Sequence, residues 1–431
     1  MKYPKVLIVG QYFNTRRGGG ITLSNLFTGW DKHNISCIAE NIDDPNFEVC
    51  DKYYQLGSLE NKRRFPFNLN LWKKHIRSGV VHKNVSPTNS SASDIKISWL
   101  KSKYFGLLQF TGLFHYKRRY KISNKLLLWI KENSPDIIYS QLSSIELIEL
   151  VNDIHKKLGL PIAIHIMDDW PLTISKAGLF KSYWFKEIDK GFRRLLSHAK
   201  VLMSISEAMS KEYLIRYGYN FVPFHNPIDL KFWTLFSKQD YDFNDTFIIL
   251  YAGRIGLGIK NSFFDIADAV SNLNSKGFKI RFHIQATNFH PVIEELRKFS
   301  FIKINPTLPY SDLPRIFSQS DLLLLPNDFE SKSLIFLRYS MPTKASEYMV
   351  SGTPVLLYSS IETAVTSHAL KYNWAYVVSS QSKTALECAI SDLYENKMLR
   401  ARLGNTAREY AINNYDGVVI RDQFRKSLIP E

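Results

Sequence analysis

Short apolar runs alternate with amphipathic stretches along most of this chain. Runs at 5–10, 35–39, 136–140, 162–167 and 201–205 have the length and apolar density of buried strands. Between them, apolar residues recur at helical spacing over 21–30, 145–158 and 207–217. The alternation restarts near residue 247, with strands expected at 247–252, 279–285, 321–326, 355–358 and 377–378. Helices are expected at 262–273, 313–318 and 399–413, followed by a shorter tail over 418–428. Strands alternating with helices predict parallel sheets covered by helices, an α/β class built of two Rossmann-like halves. Asn226, Pro227, Ile228 and Asp229 mark a turn, and the polar stretch up to Asp245 reads as a connection near residue 230.

One stretch, YSMPTKASEYMVSGTPVLL at 339–357, reads as a tight turn, a helix and a buried strand. Pro342 suits a first helical turn because no amide hydrogen is needed there, and Gly352 stands where a helix should stop. Such a turn aims amide groups and a helix N-terminus at one point, which suits a phosphate. Glu347 lies about a turn further in, within reach of a ribose diol; in an ordinary helix–strand unit it is only a solvated charge. Earlier, strand 5–10 is followed by Arg16, Arg17, Gly18, Gly19 and Gly20, a glycine-rich turn before a helix. A second glycine-rich turn spans 253–258. Strand 162–167 runs into Asp168, Asp169, Trp170 and Pro171, so two carboxylates fall at a strand's carboxyl end, where open α/β sheets bind ligands. Those carboxylates could equally cap the following turn.

Composition narrows the class. A chain of 431 residues, 45% of them hydrophobic, is long enough for two or three domains with sizeable cores. No uninterrupted apolar run reaches the roughly 18 residues of a membrane-spanning helix. The opening MKYPKVLIVGQYF lacks a signal-peptide pattern and reads as a first strand. Cys37, Cys50 and Cys388 show no metal or disulfide spacing, which fits reduced thiols in a cytoplasmic protein. The net charge is +16, and nearly all of that excess lies in 62–125, which holds fifteen Lys or Arg residues against the single acid Asp94. Aromatic residues are interleaved, and the polar piece 84–93 reads as a loop between two amphipathic helical stretches. Such a segment fits an anionic membrane surface, a nucleic acid, or simply a solvated basic face.

The ordered set Tyr251-Ala252-Gly253-Arg254 with Lys260, Asp321 leading four leucines to Pro326, and Lys344-Ala-Ser-Glu347-Tyr-Met-Val-Ser-Gly-Thr-Pro-Val355 resembles the GT-B glycosyltransferases. More narrowly it resembles the retaining family 4 group of bacterial surface-polysaccharide type. The resemblance implies two Rossmann-like domains facing across a cleft. Residues 1–230 would bind the acceptor, with 62–125 as a basic aromatic insertion. Residues 231–410 would bind a nucleotide-sugar, and 411–431 would return toward the first domain. It further implies that Arg254 and Lys260 grip the donor diphosphate and neutralise charge as the glycosidic bond breaks. Glu347 would hold the ribose, with Ser340, Met341, Thr343 and Lys344 around phosphate and sugar, and Leu308–Tyr310 near the base. Gly19 and Gly20 are the matching loop of the first domain. Asp168, Asp169 and His165 are its catalytic candidates, although His165 is equally readable as a core histidine. Tyr339 departs from the family pattern, standing where a sugar-contacting glutamate is usual.

The expected activity is therefore sugar transfer from a nucleotide-sugar donor to a lipid-linked or glycan acceptor, with retention and without a metal or other cofactor. The implied location is cytoplasmic, peripheral on the inner face of the membrane and held by its anionic surface. A GT-B-like nucleotide-sugar epimerase is the alternative enzyme. A nucleic-acid-binding module around 62–125 is the alternative outside enzymes, and the flanking donor motifs argue against nucleic acid as a partner.

Overall fold

The computed structural model describes residues 3–14, 18–65, 67, 76–83, 103–104, 106–108, 110–175, 178–256, 258–287, 290–306 and 308–429. The chain divides into two compact units, Met1–Phe224 together with Arg421–Glu431, and His225–Ile420.

The first unit carries strands β1 (Val6–Val9), β2 (Ile35–Ala39), β3 (Lys52–Gln55), β4 (Asn61–Arg63), β5 (Gly79–Val81), β6 (Arg118–Tyr120), β7 (Ile137–Ser140), β8 (Ile162–Ile166), β9 (Ala199–Ser204) and β10 (Val222–Pro223). Eight of them form one sheet in the order β10-β9-β8-β7-β1-β2-β3-β5, parallel throughout except for the antiparallel β3–β5 edge. Every residue of β1, β2, β7 and β8 is buried, which explains why these strands read as continuous apolar runs rather than alternating ones. The helix Gly417–Ser427 brings Phe424 into this unit's core. Its ring stands edge-on to Phe27, Tyr139 and Phe224 at 5.2, 5.7 and 5.5 Å.

Several expectations are corrected here. Gly18, Gly19 and Gly20 are not a turn ahead of a helix; they are the first turn of the helix Gly18–Phe27. At Gly20 a β-carbon would overlap the side chain of Asn14, so a close approach of chain to chain selects glycine there. A long helix, Lys181–Leu196, lies between β8 and β9 where none was read from the sequence. The proposed loop at 84–93 falls outside the described residues. What is described of 62–125 includes short strands as well as helical turns, with β4 and β6 pairing antiparallel. Three of its cations are neutralised within the unit. Arg118 pairs with Glu40 at 2.6 Å and Glu146 at 3.3 Å, Arg64 with Glu149 at 3.2 Å, and Arg119 with Glu149 and Asp153 at 3.4 Å each.

The second unit is a six-stranded parallel sheet of β11 (Phe247–Gly253), β12 (Ile280–Ala286), β13 (Ile302–Asn305), β14 (Leu322–Pro326), β15 (Val355–Tyr358) and β16 (Tyr376–Val378). Their order is β13-β12-β11-β14-β15-β16. The strand order reverses at β11, whose neighbours are β12 and β14, so the crevice at the carboxyl ends of β11 and β14 is the ligand-binding position of such a sheet. The helix Thr343–Ser351 precedes β15 and is buried from Ala345 to Ser351. It ends at Gly352, which adopts the left-handed conformation at φ 73° and closes the last turn on the Met349 carbonyl. The helix Lys397–Asn414 packs against it through Gly404. A β-carbon there would overlap the Gly352 carbonyl oxygen and press on the Tyr241 ring at 2.8 Å.

The Gly404 contact leaves no space for even one methyl group. Replacing Gly404 with Ala is expected to destabilise the protein by about 3 kcal/mol, the upper part of the range for overpacking. An unchanged thermal unfolding midpoint in Gly404→Ala would show that the two helices separate without cost.

Candidate active site

The helix Thr343–Ser351 places two ionisable side chains, Lys344 and Glu347, one turn apart in the second unit. Glu347 is buried, and the Tyr310 hydroxyl donates to its Oε1 at 2.9 Å. Tyr310 is in turn seated by aromatic rings. Phe232 stacks on it at 5.6 Å and 14°, and Trp233 meets it edge-on at 5.9 Å. Both rings belong to the short helix Leu230–Thr234, capped where the Asp229 carboxylate accepts from the Phe232 amide at 3.3 Å. The Asn226-Pro227-Ile228-Asp229 turn thus acts on Glu347 through three contacts.

Lys344 is held on its other side. Its Nζ donates to the Tyr251 hydroxyl at 2.9 Å and lies 4.0 Å from the centre of that ring. The Tyr251 hydroxyl itself donates to the Arg254 carbonyl at 2.6 Å. A β-carbon on Gly253 would overlap the Lys344 ammonium, so glycine at this position makes room for the charge. The Tyr348 hydroxyl accepts from the Ala252 amide at 2.9 Å and ties the same helix to β11. Helix and loop are therefore joined as one hydrogen-bonded body, running from Arg254 through Tyr251 to Lys344.

Burial pushes the Glu347 carboxyl up to about 7, opposed by the Tyr310 hydrogen bond and the Lys344 charge. Burial likewise pushes the Lys344 ammonium down to about 7, opposed by Glu347. A diphosphate beside Lys344 and a diol on Glu347 would each favour the charged form of its partner.

Arg254 follows β11 directly and is exposed; Lys260 opens the helix Lys260–Ser275 at the far end of the same loop and is exposed as well. That helix is capped from a distance. The Asp328 carboxylate, just beyond β14, accepts from the Ser262 amide at 2.9 Å, and the Asp328 amide donates to the Gly258 carbonyl at 2.6 Å. The helix Thr343–Ser351, by contrast, begins after Pro342 with no side-chain cap, so its N-terminus keeps the anion-favouring polarity of an open helix end. Tyr339, Ser340 and Met341 form the segment leading into it, with Met341 buried and Tyr339, Ser340 and Thr343 half-buried. Leu308 is half-buried, two residues before Tyr310.

Gly19, Gly20, His165, Asp168 and Asp169 all belong to the first unit. His165 is fully buried with its Nδ1 2.7 Å from the Tyr139 hydroxyl, and burial pushes its imidazole down to about 3, leaving it neutral. Asp169 is buried and engaged. Arg216 grips both its oxygens at 2.8 and 3.1 Å, and the Tyr213 hydroxyl donates to it at 3.0 Å. Asp168, its neighbour, is exposed at the carboxyl end of β8. Among the described residues, no group of three or more His, Cys, Asp or Glu is placed to hold a metal ion. Sequence reasoning named Tyr251, Tyr348 and the Leu308–Tyr310 segment without the supporting contacts they make, and missed Asp328. The available signal was that a buried tyrosine hydroxyl needs a polar partner.

Solved structures share this architecture over their full length. Sucrose-phosphate synthase from Thermosynechococcus elongatus superposes with a TM-score of 0.62 at 13% identity, covering 98% of this chain and 97% of its own. HepE of Anabaena, solved with UDP and glucose, gives 0.62 at 12% identity and covers 99% of each chain. The chain has the two-domain GT-B fold. WaaG, a glycosyltransferase involved in lipopolysaccharide biosynthesis, gives 0.59 at 12% identity, covering 99% of this GT-B chain and all of its own. Neither a protein-family model nor a curated protein sequence matches it.

The raised Glu347 carboxyl gives this GT-B chain a pH signature. Between pH 5 and 6.5 Lys344 is protonated both folded and unfolded, whereas Glu347 keeps its proton folded and loses it unfolded. The unfolded state then binds fewer protons, so stability falls as pH rises through that window. The loss is about 2 kcal/mol over those pH units. Glu347→Gln is expected to remove it, as read by urea unfolding of the full chain at both pH values; parallel profiles would place the carboxyl in a solvated setting.

Proposed function

We propose that this chain transfers a sugar from a nucleotide-sugar to a lipid-linked or glycan acceptor at the inner face of the membrane, with retention, in cell-surface glycan synthesis. One observation carries the reading: the helix bearing Lys344 and Glu347 is hydrogen-bonded through Tyr251 to the Arg254 loop, at the point where the sheet order reverses. Glu347 accepts the ribose hydroxyls, the Leu308–Tyr310 segment lies against the base, and Lys344 with the amides opening Thr343–Ser351 faces the diphosphate.

In the reaction, the bond from the anomeric carbon to the diphosphate oxygen breaks and a bond to the acceptor hydroxyl oxygen forms on the same face. The acceptor's proton passes to the departing phosphate. Arg254 and Lys260 neutralise the charge that develops there, a role two side-chain cations fill without requiring a metal ion. Asp168 is the acceptor-side carboxylate of this proposal. His165 and Asp169 serve as supports, because one is enclosed and the other is committed to Arg216. HepE, solved with UDP and with UDP-glucose, makes uridine nucleotides the first donors to try. The description of WaaG as acting in lipopolysaccharide biosynthesis supports a surface-glycan acceptor.

Arg254→Ala and Lys260→Ala are each expected to reduce turnover about a hundredfold, the scale of one lost transition-state contact. Assays of labelled nucleotide-sugars with membrane extract test this, and wild-type turnover in a folded double variant overturns the site. Tyr339 offers one hydroxyl and a flat face where a carboxylate offers two acceptors. Tyr339→Glu is therefore expected to reorder the preference among donors, deoxy and N-acetylated sugars losing ground. An unchanged ranking across the panel would remove Tyr339 from sugar recognition.

A further inference from the structure

The first unit exposes a group of large apolar side chains that no internal contact accounts for. Leu107 and Phe110 are each 59% exposed, and Leu179, Phe180 and Tyr183 are 65%, 51% and 55% exposed, with Leu113 alongside. They come from two segments far apart in sequence that the fold joins into one surface. The Leu179 amide donates to the Phe110 carbonyl at 2.6 Å, and His115 packs its ring 5.3 Å from Trp184. Gly112 lies so close to Trp184 that a β-carbon would overlap the indole. Large exposed apolar patches are uncommon on soluble proteins and mark interaction sites.

Cations predominate around the patch, with Glu187 and Asp189 following it half-buried. Lys103, Lys181 and Lys186 are exposed. No acid occurs between Asp94 and Glu132, nor between Lys181 and Lys186. Apolar and aromatic side chains at the centre with lysines at the rim match a bilayer interface, where rings enter the headgroup layer and long cationic chains reach lipid phosphates. No helix among the described residues is long and apolar enough to cross a membrane, so the contact would be superficial.

Topology orients the patch. The helix Lys181–Leu196 joins two adjacent parallel strands, β8 and β9, so its first turn lies at the carboxyl edge of the sheet. That is the edge to which β8 delivers Asp168. We infer that the surface formed by 107–108, 110–116 and 179–186 docks this unit onto an anionic lipid leaflet, bringing the carboxyl edge of its sheet to the membrane. Only the identity of the acceptor presented there, a lipid-linked saccharide, rests on the proposed transfer reaction.

Flotation of the full chain with vesicles tests the docking. One set is phosphatidylcholine alone and the other contains phosphatidylglycerol, each at low and high salt. The expected result is recovery with the anionic vesicles that weakens with salt. The pair Leu179→Ser with Phe180→Ser is expected to lower the partition constant at least about tenfold through lost apolar burial. Lys181→Glu with Lys186→Glu is expected to lower it about tenfold or more at low salt only. All four positions are exposed, so circular dichroism and the thermal midpoint should match wild type, and the thermal shift given by UDP should persist. Wild-type protein that stays in solution with both vesicle types, or variants that float as well as wild type, would overturn the inference. Light scattering that shows self-association lost in the Leu179 and Phe180 variant, without flotation of wild type, would overturn it in favour of an interface between copies. Intact flotation without sugar transfer from any donor would count against the proposed reaction and leave the docking standing.

Discussion

Two ionisable side chains one turn apart on a buried helix are the constraint around which the second unit is arranged. A buried polar group left without a partner typically costs about 1–3 kcal/mol, so each of the two needs a fixed neighbour. Tyr251 serves Lys344, Tyr310 serves Glu347, and each tyrosine is itself held: one by the Arg254 carbonyl, the other by Phe232 and Trp233. Gly253 follows from the same demand, since any side chain there displaces the ammonium. The stabilising network includes the residues proposed to face the donor, so the geometry of that proposed site would be set before anything binds.

The sheets were legible because fully buried parallel strands leave uninterrupted apolar runs, and β1, β7, β8, β11 and β14 fall where those runs occur. Arg254, Lys260 and Glu347 were singled out through the resemblance of their motifs to GT-B sequences. Their supports were not. Tyr310 reaches Glu347 across 37 positions and Asp328 reaches the Ser262 amide across 66, and no local pattern encodes a partner chosen by the fold. The helix Lys181–Leu196 carried a signal in Trp184, Ile188, Phe192 and Leu195, four buried positions at helical spacing. Exposed aromatics and Gly191 diluted that signal.

Charge was the quantity most easily misread along the chain. Counted by sequence, 62–125 is a block of surplus cations. In space, Arg64, Arg118 and Arg119 answer Glu40, Glu146, Glu149 and Asp153, acids that lie outside the block. Asp168 and Asp169 teach the same point at the scale of neighbours. The sequence offers two equivalent carboxylates, and folding exposes one while Arg216 and Tyr213 enclose the other.

Phe424 gives the chain an order of assembly. The aromatic core around Phe27, Tyr139 and Phe224 is closed by a residue that follows the whole second unit in sequence, so a nascent chain lacks that closing ring until the second unit has been made. The unit His225–Ile420 is continuous in sequence and has all its strands before then. Although domains generally fold from the amino end during translation, here the earlier-made unit needs a helix synthesised after the later one, so its core cannot close before the second unit has been made.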